Sequence, residues 1–273
     1  CVQIYVTGPR TPHVIVDAGD YAGIKAAVEA SDSILVIHGA YIDVPWSEYR
    51  KASAAGGTPT GVGTANIIRE LEISHAIGSQ GVIVHLAAGA IEPDSVDHVI
   101  GTIDSGTPDD VLATQTLFLE INTAKSSPAT FETPEKIAAL WTRIEELRQT
   151  MLMKIRVGLC IDSAHLFSCG VSLGDYNVAR EWLKRTQESL PDNTPIMIHL
   201  NDSGSTLGSG KDVHEELCRG NIWRDYRSML PVSGSGIAAI VEFAVENNLM
   251  VIREHKTQFP EADLKLISRL ING

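Results

Sequence analysis

Short apolar runs alternate with stretches of helical period along the whole chain. Val2–Val6, Ile34–Ile37, Val82–Val84, Thr116–Leu119, Val157–Ile161, Ile196–Ile198 and Met250–Arg253 read as strands. They are nearly continuous in apolar residues rather than alternating, as strands are when both faces of a sheet are covered. Asp20–Ala30, Thr64–Ile77, Glu135–Met153, Asp175–Leu190, Gly236–Asn247 and Glu261–Ile271 carry apolar residues at helical spacing. Pro134 stands in the first turn of the third of these, where its missing N–H costs nothing. Between Val82–Val84 and Thr116–Leu119 a loop with a short helix is expected.

Strand–helix alternation of this kind predicts a parallel sheet covered by helices. Seven such strands are one short of the eight that close the common barrel. The expected fold class is therefore α/β, a (β/α)8 TIM barrel whose first β/α unit lies outside this sequence; an open doubly wound sheet is the alternative. With no internal repeat, linker or low-complexity tract, residues 1–273 read as a single domain.

Six of the seven strands end in a metal-ligand residue: His38, His85, Glu120, Asp162, His199 and Glu254. His, Asp and Glu together make up about 16% of the chain, so by composition alone six such ends coincide roughly once in 10⁵. At the C-terminal mouth of a parallel barrel the last side chains of many strands converge on one volume. Histidines and carboxylates crowded there need cations. His165 in Asp162-x-x-His165, with Asp212 and His214 in Asp212-x-His214, adds three ligands on following loops. Nine ligands are too many for one tetrahedral ion and suit two or three ions sharing a carboxylate. Imidazole with carboxylate favours Zn²⁺, with Mn²⁺, Fe²⁺ or Co²⁺ as rivals. His13, His75, His98 and His255 lie outside this pattern and are read as packing or loop residues.

Composition narrows the chemistry further. The net charge of −12 argues against a general basic surface for nucleic acid, but bound divalent ions reverse the local sign of a carboxylate-rich site. Cys1, Cys160, Cys169 and Cys218 show no C-x-x-C pairing, which fits a reduced intracellular protein without cysteine-bound zinc. No apolar run reaches membrane-span length, and the first residues read as a strand rather than a signal peptide. Phosphate-binding glycine loops and a nucleophile elbow are absent from the sequence. A multi-ion site of this composition points to phosphate-ester hydrolysis, since two or more ions can hold both attacking and leaving oxygens. The rival chemistry is a xylose-isomerase-like sugar isomerase or epimerase.

Three segments are recognisable: His38-Gly-Ala-Tyr41, Gly-Leu-Cys-Ile-Asp162-Ser-Ala-His165, and His199-Leu-Asn-Asp-Ser followed by Gly-Ser-Gly-Lys-Asp212-Val-His214-Glu. They resemble the endonuclease IV family of apurinic/apyrimidinic (AP) DNA endonucleases over nearly the whole chain. The run His38-Gly-Ala-Tyr-Ile-Asp-Val-Pro-Trp-Ser looks closest to the branch found in large DNA viruses. The resemblance implies a trinuclear zinc site. His38, His85 and Glu120 would hold one ion; Glu120, bridging, with Asp162, His199 and Glu254 a second; and His165, Asp212 and His214 the third. It implies hydrolysis of the phosphodiester 5′ to an abasic site in duplex DNA, leaving a 3′-hydroxyl, by a metal-activated hydroxide, with 3′-phosphodiesterase or 3′–5′ exonuclease activity beside it. Glu120 and Glu254 would be the catalytic carboxylates, and Arg10, Tyr41 and Lys211 would contact DNA. A monomer that uses no membrane is expected. The chain departs from the family pattern at Ile121–Lys125, at His255-Lys256, at Val213 where Arg is usual, and in the His85 loop, which lacks a second histidine.

Overall fold

The computed structural model describes residues 1–41, 45–123, 131–224, 234–254 and 260–272. They group into two compact units, one of residues 1–120 and 139–159, the other of residues 121–138 and 160–273.

The first unit runs β1 (Val2–Ile4), α1 (Tyr21–Ala30), β2 (Leu35–His38), α2 (Pro45–Ala54), α3 (Val62–Ala76), β3 (Gly81–His85), α4 (Pro93–Gly106), α5 (Asp109–Leu112) and β4 (Thr116–Glu120). It also takes part of α6 (Pro134–Met151) and the start of β5 (Arg156–Asp162). β1 pairs with β2, β2 with β3 and β3 with β4, all parallel. β2 and β4 are buried at every position, which explains their unbroken apolar runs. Ile37, Val82, Ile83 and Phe118 from the strands are buried, as are Ile67 and Leu71 of α3 and Ile100 and Ile103 of α4. Asp104 Oδ1 accepts the backbone N–H groups of Lys154 and Ile155 at 2.8 and 2.6 Å, which fixes the approach to β5.

The second unit contains α7 (Ser163–Ser168), α8 (Tyr176–Ser189), β6 (Ile196–His199), β7 (Asp202–Ser203), β8 (His214–Glu215), α9 (Gly236–Glu246), β9 (Met250–Ile252) and α10 (Pro260–Asn272). β6 and β9 are parallel neighbours, while β7 and β8 form a small antiparallel ribbon. Side chains cap its helices: Asp162 starts α7, Asp175 starts α8 and Ser235 starts α9, each accepting an N–H that the first turn leaves unpaired.

The seven expected strands are present. One expectation is corrected: the segment after β3 holds a 14-residue helix, α4, and then α5, rather than a loop with one short helix. Pro93 opens α4, and Val96, Val99, Ile100 and Ile103 form its buried stripe. Its Gly, Asp and Ser residues lower the intrinsic helix preference, and packing overrides it. The helices α2 and α7 and the β7–β8 ribbon are additions to the expected pattern.

Two glycines test the packing in opposite senses. A Cβ at Gly81 would lie 2.0 Å from the Thr116 carbonyl oxygen, whereas one at Gly23, exposed in mid-α1, meets nothing within 4 Å. Gly81→Ala is expected to cost about 1–3 kcal/mol and Gly23→Ala to add about 0.5–1 kcal/mol, both read from denaturant unfolding. Equal effects would show that the β3–β4 contact is not tight.

Candidate metal centre

In the first unit, β2, β3 and β4 end side by side, so His38, His85 and Glu120 close on one another. Glu120 Oε2 lies 3.1 Å from His38 Nε2 and 3.0 Å from His85 Nε2, and the ligand atoms of the three residues fall within 4.8 Å of each other. His38 and Glu120 are buried. His38 Nδ1 sits 2.8 Å from the Gly39 carbonyl oxygen, which only accepts, so Nδ1 carries the hydrogen in the neutral ring. Nε2 then turns a lone pair toward an anionic carboxylate oxygen. Two acceptors at that distance repel unless a cation lies between them or the imidazole takes up a proton.

The surroundings set this geometry. Trp46, itself buried, donates Nε1–H to the His85 carbonyl oxygen at 3.1 Å. Buried Glu70 accepts from Thr7 Oγ1 at 2.6 Å and from Ala40 N at 3.3 Å. A Cβ at residue 39 would come within 2.9 Å of Glu70 Oε2 and 3.0 Å of the Ile83 carbonyl, so glycine follows His38. Exposed Tyr41 stacks on the His85 ring at 5.3 Å and accepts a hydrogen bond from Tyr5 Oη at 2.6 Å. Tyr41 N donates to the Pro9 carbonyl at 2.9 Å, next to exposed Arg10.

In the second unit, Asp162 divides its two oxygens between structure and site. Oδ1 caps α7 through His165 N at 2.7 Å. Oδ2 accepts from Asn201 Nδ2 at 2.6 Å and faces His214 Nε2 at 3.6 Å and His199 Nδ1 at 3.9 Å. Glu254 Oε2 lies 3.0 Å from His199 Nδ1 and 3.3 Å from Asn201 Nδ2. Asp212 Oδ1 lies 3.4 Å from His165 Nε2 and 3.2 Å from His214 Nε2. His165 Nδ1 is 2.8 Å from the Ile121 carbonyl, so its Nε2 also presents a lone pair in the neutral ring. His214 Nε2 is buried without a hydrogen bond, although the carboxylate oxygens above are near; an orphaned ring nitrogen among carboxylates fits the ligand of a cation. Ligand atoms of Asp162, His165 and His214 lie within 4.8 Å of one another. Nitrogen and oxygen ligands in such groups suit a borderline divalent ion.

All nine expected ligands thus fall into close clusters within their units. Lys211 is exposed beside Asp212. His75 Nδ1 lies 2.8 Å from Thr114 Oγ1 and His98 packs on Tyr49. His255, Lys256, Ala124 and Lys125 lie outside the described residues. No disulfide joins the cysteines; Cys160 and Cys218 are buried, and burial, then Asp202 and Asp263, push the Cys218 thiol up to about 12.

Sequence reasoning missed Asn201, which is fully buried, donates to Asp162 and Glu254, and accepts Glu254 N at 2.9 Å. It also missed Asp202, whose carboxylate gathers the N–H groups of Ser203, Ile222 and Gly220 at 2.7, 2.9 and 3.1 Å. Both closely follow His199, and polar residues just past a buried strand end were the available signal.

No family model matches the sequence. The protein named Probable AP endonuclease from African swine fever virus (isolate Tick/Malawi/Lil 20-1/1983) is 33% identical over 254 residues, covering 92% of this chain and 77% of that protein. This chain belongs to the endonuclease IV family of AP endonucleases. The isolate Pig/Kenya/KEN-50/1950 counterpart is 32% identical over the same shares, in line with the expected viral branch. Among solved structures, AsfvAP:AG is similar with a TM-score of 0.79 at 27% identity, over 99% of this chain and 83% of that one. Endonuclease IV from Thermus thermophilus gives 0.71 at 19% identity, over 99% and 88%. The fold is accordingly the endonuclease IV (β/α) barrel, with seven parallel strands among the described residues. A D-tagatose 3-epimerase-like protein gives 0.62 at 13% identity, over 99% and 87%, and shares the fold alone. No helix of the described residues is long and apolar enough to cross a membrane.

Burial pushes the Asp202 carboxyl above the ordinary 3.8 of aspartate, against the backbone N–H groups that favour its charged form. A raised folded-state value contributes stability below 3.8 that is lost as pH rises through the folded value. Asp202→Asn cannot ionise, so the stability of the native protein relative to this variant should fall as pH rises above about 4. Parallel curves in pH-dependent unfolding would show that Asp202 is not the titrating group.

Proposed function

We propose that this AP endonuclease cleaves duplex DNA 5′ to abasic sites and leaves a 3′-hydroxyl, as a single barrel domain acting as a monomer. The observation that carries the reading is the pair of histidine–carboxylate clusters at strand ends, in a chain of this family. The metal set follows the resemblance. On that resemblance His38, His85 and Glu120 would hold one ion; Glu120, Asp162, His199 and Glu254 a second; His165, Asp212 and His214 a third, with Zn²⁺ at each and Mn²⁺ an alternative at one. When bound, such ions lower the pKa of water and stabilise charge on the phosphate and the leaving oxygen.

The chain's own residues do the positioning. Gly39 and Ile121 carbonyls hold His38 and His165 in the tautomer whose Nε2 is basic, and this second layer of contacts raises ligand strength. Glu254, oriented by Asn201 on both its backbone and its carboxylate, takes the proton of the attacking water at Oε2. Arg10 and Tyr41 enter the helix at the lesion, where an abasic nucleotide costs less to extrude than a paired one. Lys211 contacts the backbone in place of the arginine usual at Val213. The same site would serve 3′-phosphodiesterase or 3′–5′ exonuclease activity, and the setting is intracellular.

Incubation with duplex DNA bearing one abasic analogue should give a nick 5′ to it that chelator abolishes and zinc restores. About three zinc ions per chain are expected, and His214→Ala should lose one of them and at least about 100-fold in rate. Absence of a nick with zinc restored, or turnover of a keto sugar instead, would overturn the nuclease reading in favour of an isomerase.

A further inference from the structure

The glycine-rich loop between β7 and β8 is built onto the end of α7. Gly208 N donates to the Phe167 carbonyl at 3.0 Å and Gly210 N to the Ser168 carbonyl at 2.9 Å. Carbonyls at a helix end lack partners within the helix; Cys169, Gly170 and Val171 meet those of His165, Leu166 and Phe167, and the loop adds a second donor to Phe167 and one to Ser168. Both glycines are left-handed, at φ +71° and +65°, a conformation that costs other residues energy.

Three buried hydroxyls run underneath. Ser203 Oγ lies 2.8 Å from Ser205 Oγ, Ser205 Oγ 3.1 Å from Ser168 Oγ, and Ser168 Oγ donates to the Lys211 carbonyl at 2.6 Å. All three residues are buried. Each hydroxyl has a single hydrogen. Because Ser168 uses its hydrogen on a carbonyl, Ser205 must donate to Ser168 and Ser203 to Ser205. The relay is therefore unidirectional, and its members polarise one another. It is anchored at the start by Ser203 N on Asp202 Oδ1 and by Asn221 N on the Ser203 carbonyl at 2.6 Å. It ends on the carbonyl of the residue before Asp212.

The helix that receives the relay also carries His165, one turn before Ser168. We propose that the Ser203–Ser205–Ser168 relay is a positioning device that clamps the Asp212 and His214 loop onto the helix bearing His165, and so sets the metal affinity of that one cluster. The assignment rests on the metal reading above for its ligand, and on hydrogen bonding alone for the clamp. Ser168, buried and bonded to Ser205 and the Lys211 carbonyl, acts as a positioning residue.

The test uses Ser168→Ala, Ser205→Ala and the hydroxyl-retaining Ser205→Thr, each titrated with zinc against a competing chelator. Loss of such a supporting contact typically weakens a metal site about 10–100-fold. Both alanine variants should weaken one zinc site by at least about tenfold, leave the others unchanged, and raise the KM for zinc-dependent nicking less than they lower kcat. Ser205→Thr should restore the native titration. Backbone hydrogen exchange in the metal-free proteins gives an independent reading: the amides of Gly208 and Gly210 should exchange faster in both alanine variants. Native protein that binds no zinc while the exchange still changes would reject the metal reading and keep the clamp. Unchanged exchange, or an equal loss at every zinc site, would overturn the clamp.

Discussion

Glu120 places one oxygen of a buried carboxylate 3.0 and 3.1 Å from two imidazole nitrogens, and most of the first unit's architecture serves to keep it there. Such an arrangement is costly on its own, because a charge without solvent must be paired, and in the neutral ring His38 Nε2 is an acceptor. The strands supply rigidity: all three ligands are last residues of strands that pair in register, with His85 directly opposite Glu120. Contacts from elsewhere remove the remaining freedom, as Trp46 fixes the backbone at His85 and Glu70 fixes the turn after His38. Buried polar groups thus restrict the freedom of the side chains that could hold a cation, and a site held rigid pays less ordering cost on binding.

The second unit solves a harder version of the same problem. His199 and Asp162 come from strand ends, but Asp212 and His214 come from a loop and a short ribbon, where backbone freedom is greatest. The compensation is dense hydrogen bonding. Asp202 gathers three N–H groups, Asn221 Nδ2 holds the Gly204 and Ser205 carbonyls at 3.0 and 2.8 Å, and two left-handed glycines close the end of α7. The glycine-rich stretch looks like a flexible spacer by composition. Gly208 and Gly210 hold left-handed backbone conformations, which cost other residues energy, while their N–H groups bond to α7.

How much of this is legible in sequence depends on where each residue's partners lie. Strand ends can be read because a parallel strand buried on both faces is an apolar run, and the first polar residue after it stands out; His38, His85, Glu120, Asp162 and His199 all announce themselves in this way. The family motifs then assign Asp212 and His214. Helix α4 is hard to read because its burial outweighs a composition rich in Gly, Asp and Ser. Ser168 and Glu70 carry no local mark at all: their importance comes from Lys211 and Ser205, or from Thr7 and Ala40, far along the chain. Val213, conspicuous as a departure from the family pattern, is exposed and constrains its neighbour rather than being explained by it. A Cβ at Gly204 would lie 2.9 Å from Val213 Cγ1, so a side chain at 213 takes up the space above residue 204, and the two positions are read together.

The charge of the chain bears on the same point. A chain of net charge −12 meets a polyanion, and a broad basic surface is not how it does so. Four of the nine proposed ligands are carboxylates, counted as negative in that total. Three divalent ions would add about +6 and halve it, and they would do so beside the scissile phosphate rather than over the surface. Attraction confined to the site favours a substrate that can bring its backbone down to the site. Exposed Tyr41 packs on the His38 and His85 rings and its N–H meets the Pro9 carbonyl next to exposed Arg10, and in the proposed reading these two residues would enter the gap that an abasic nucleotide leaves. Undamaged duplex offers neither that gap nor so cheap a distortion, and in the proposed reading the net negative charge would be a source of selectivity, since it withholds the non-specific affinity that a basic protein would have for every stretch of DNA.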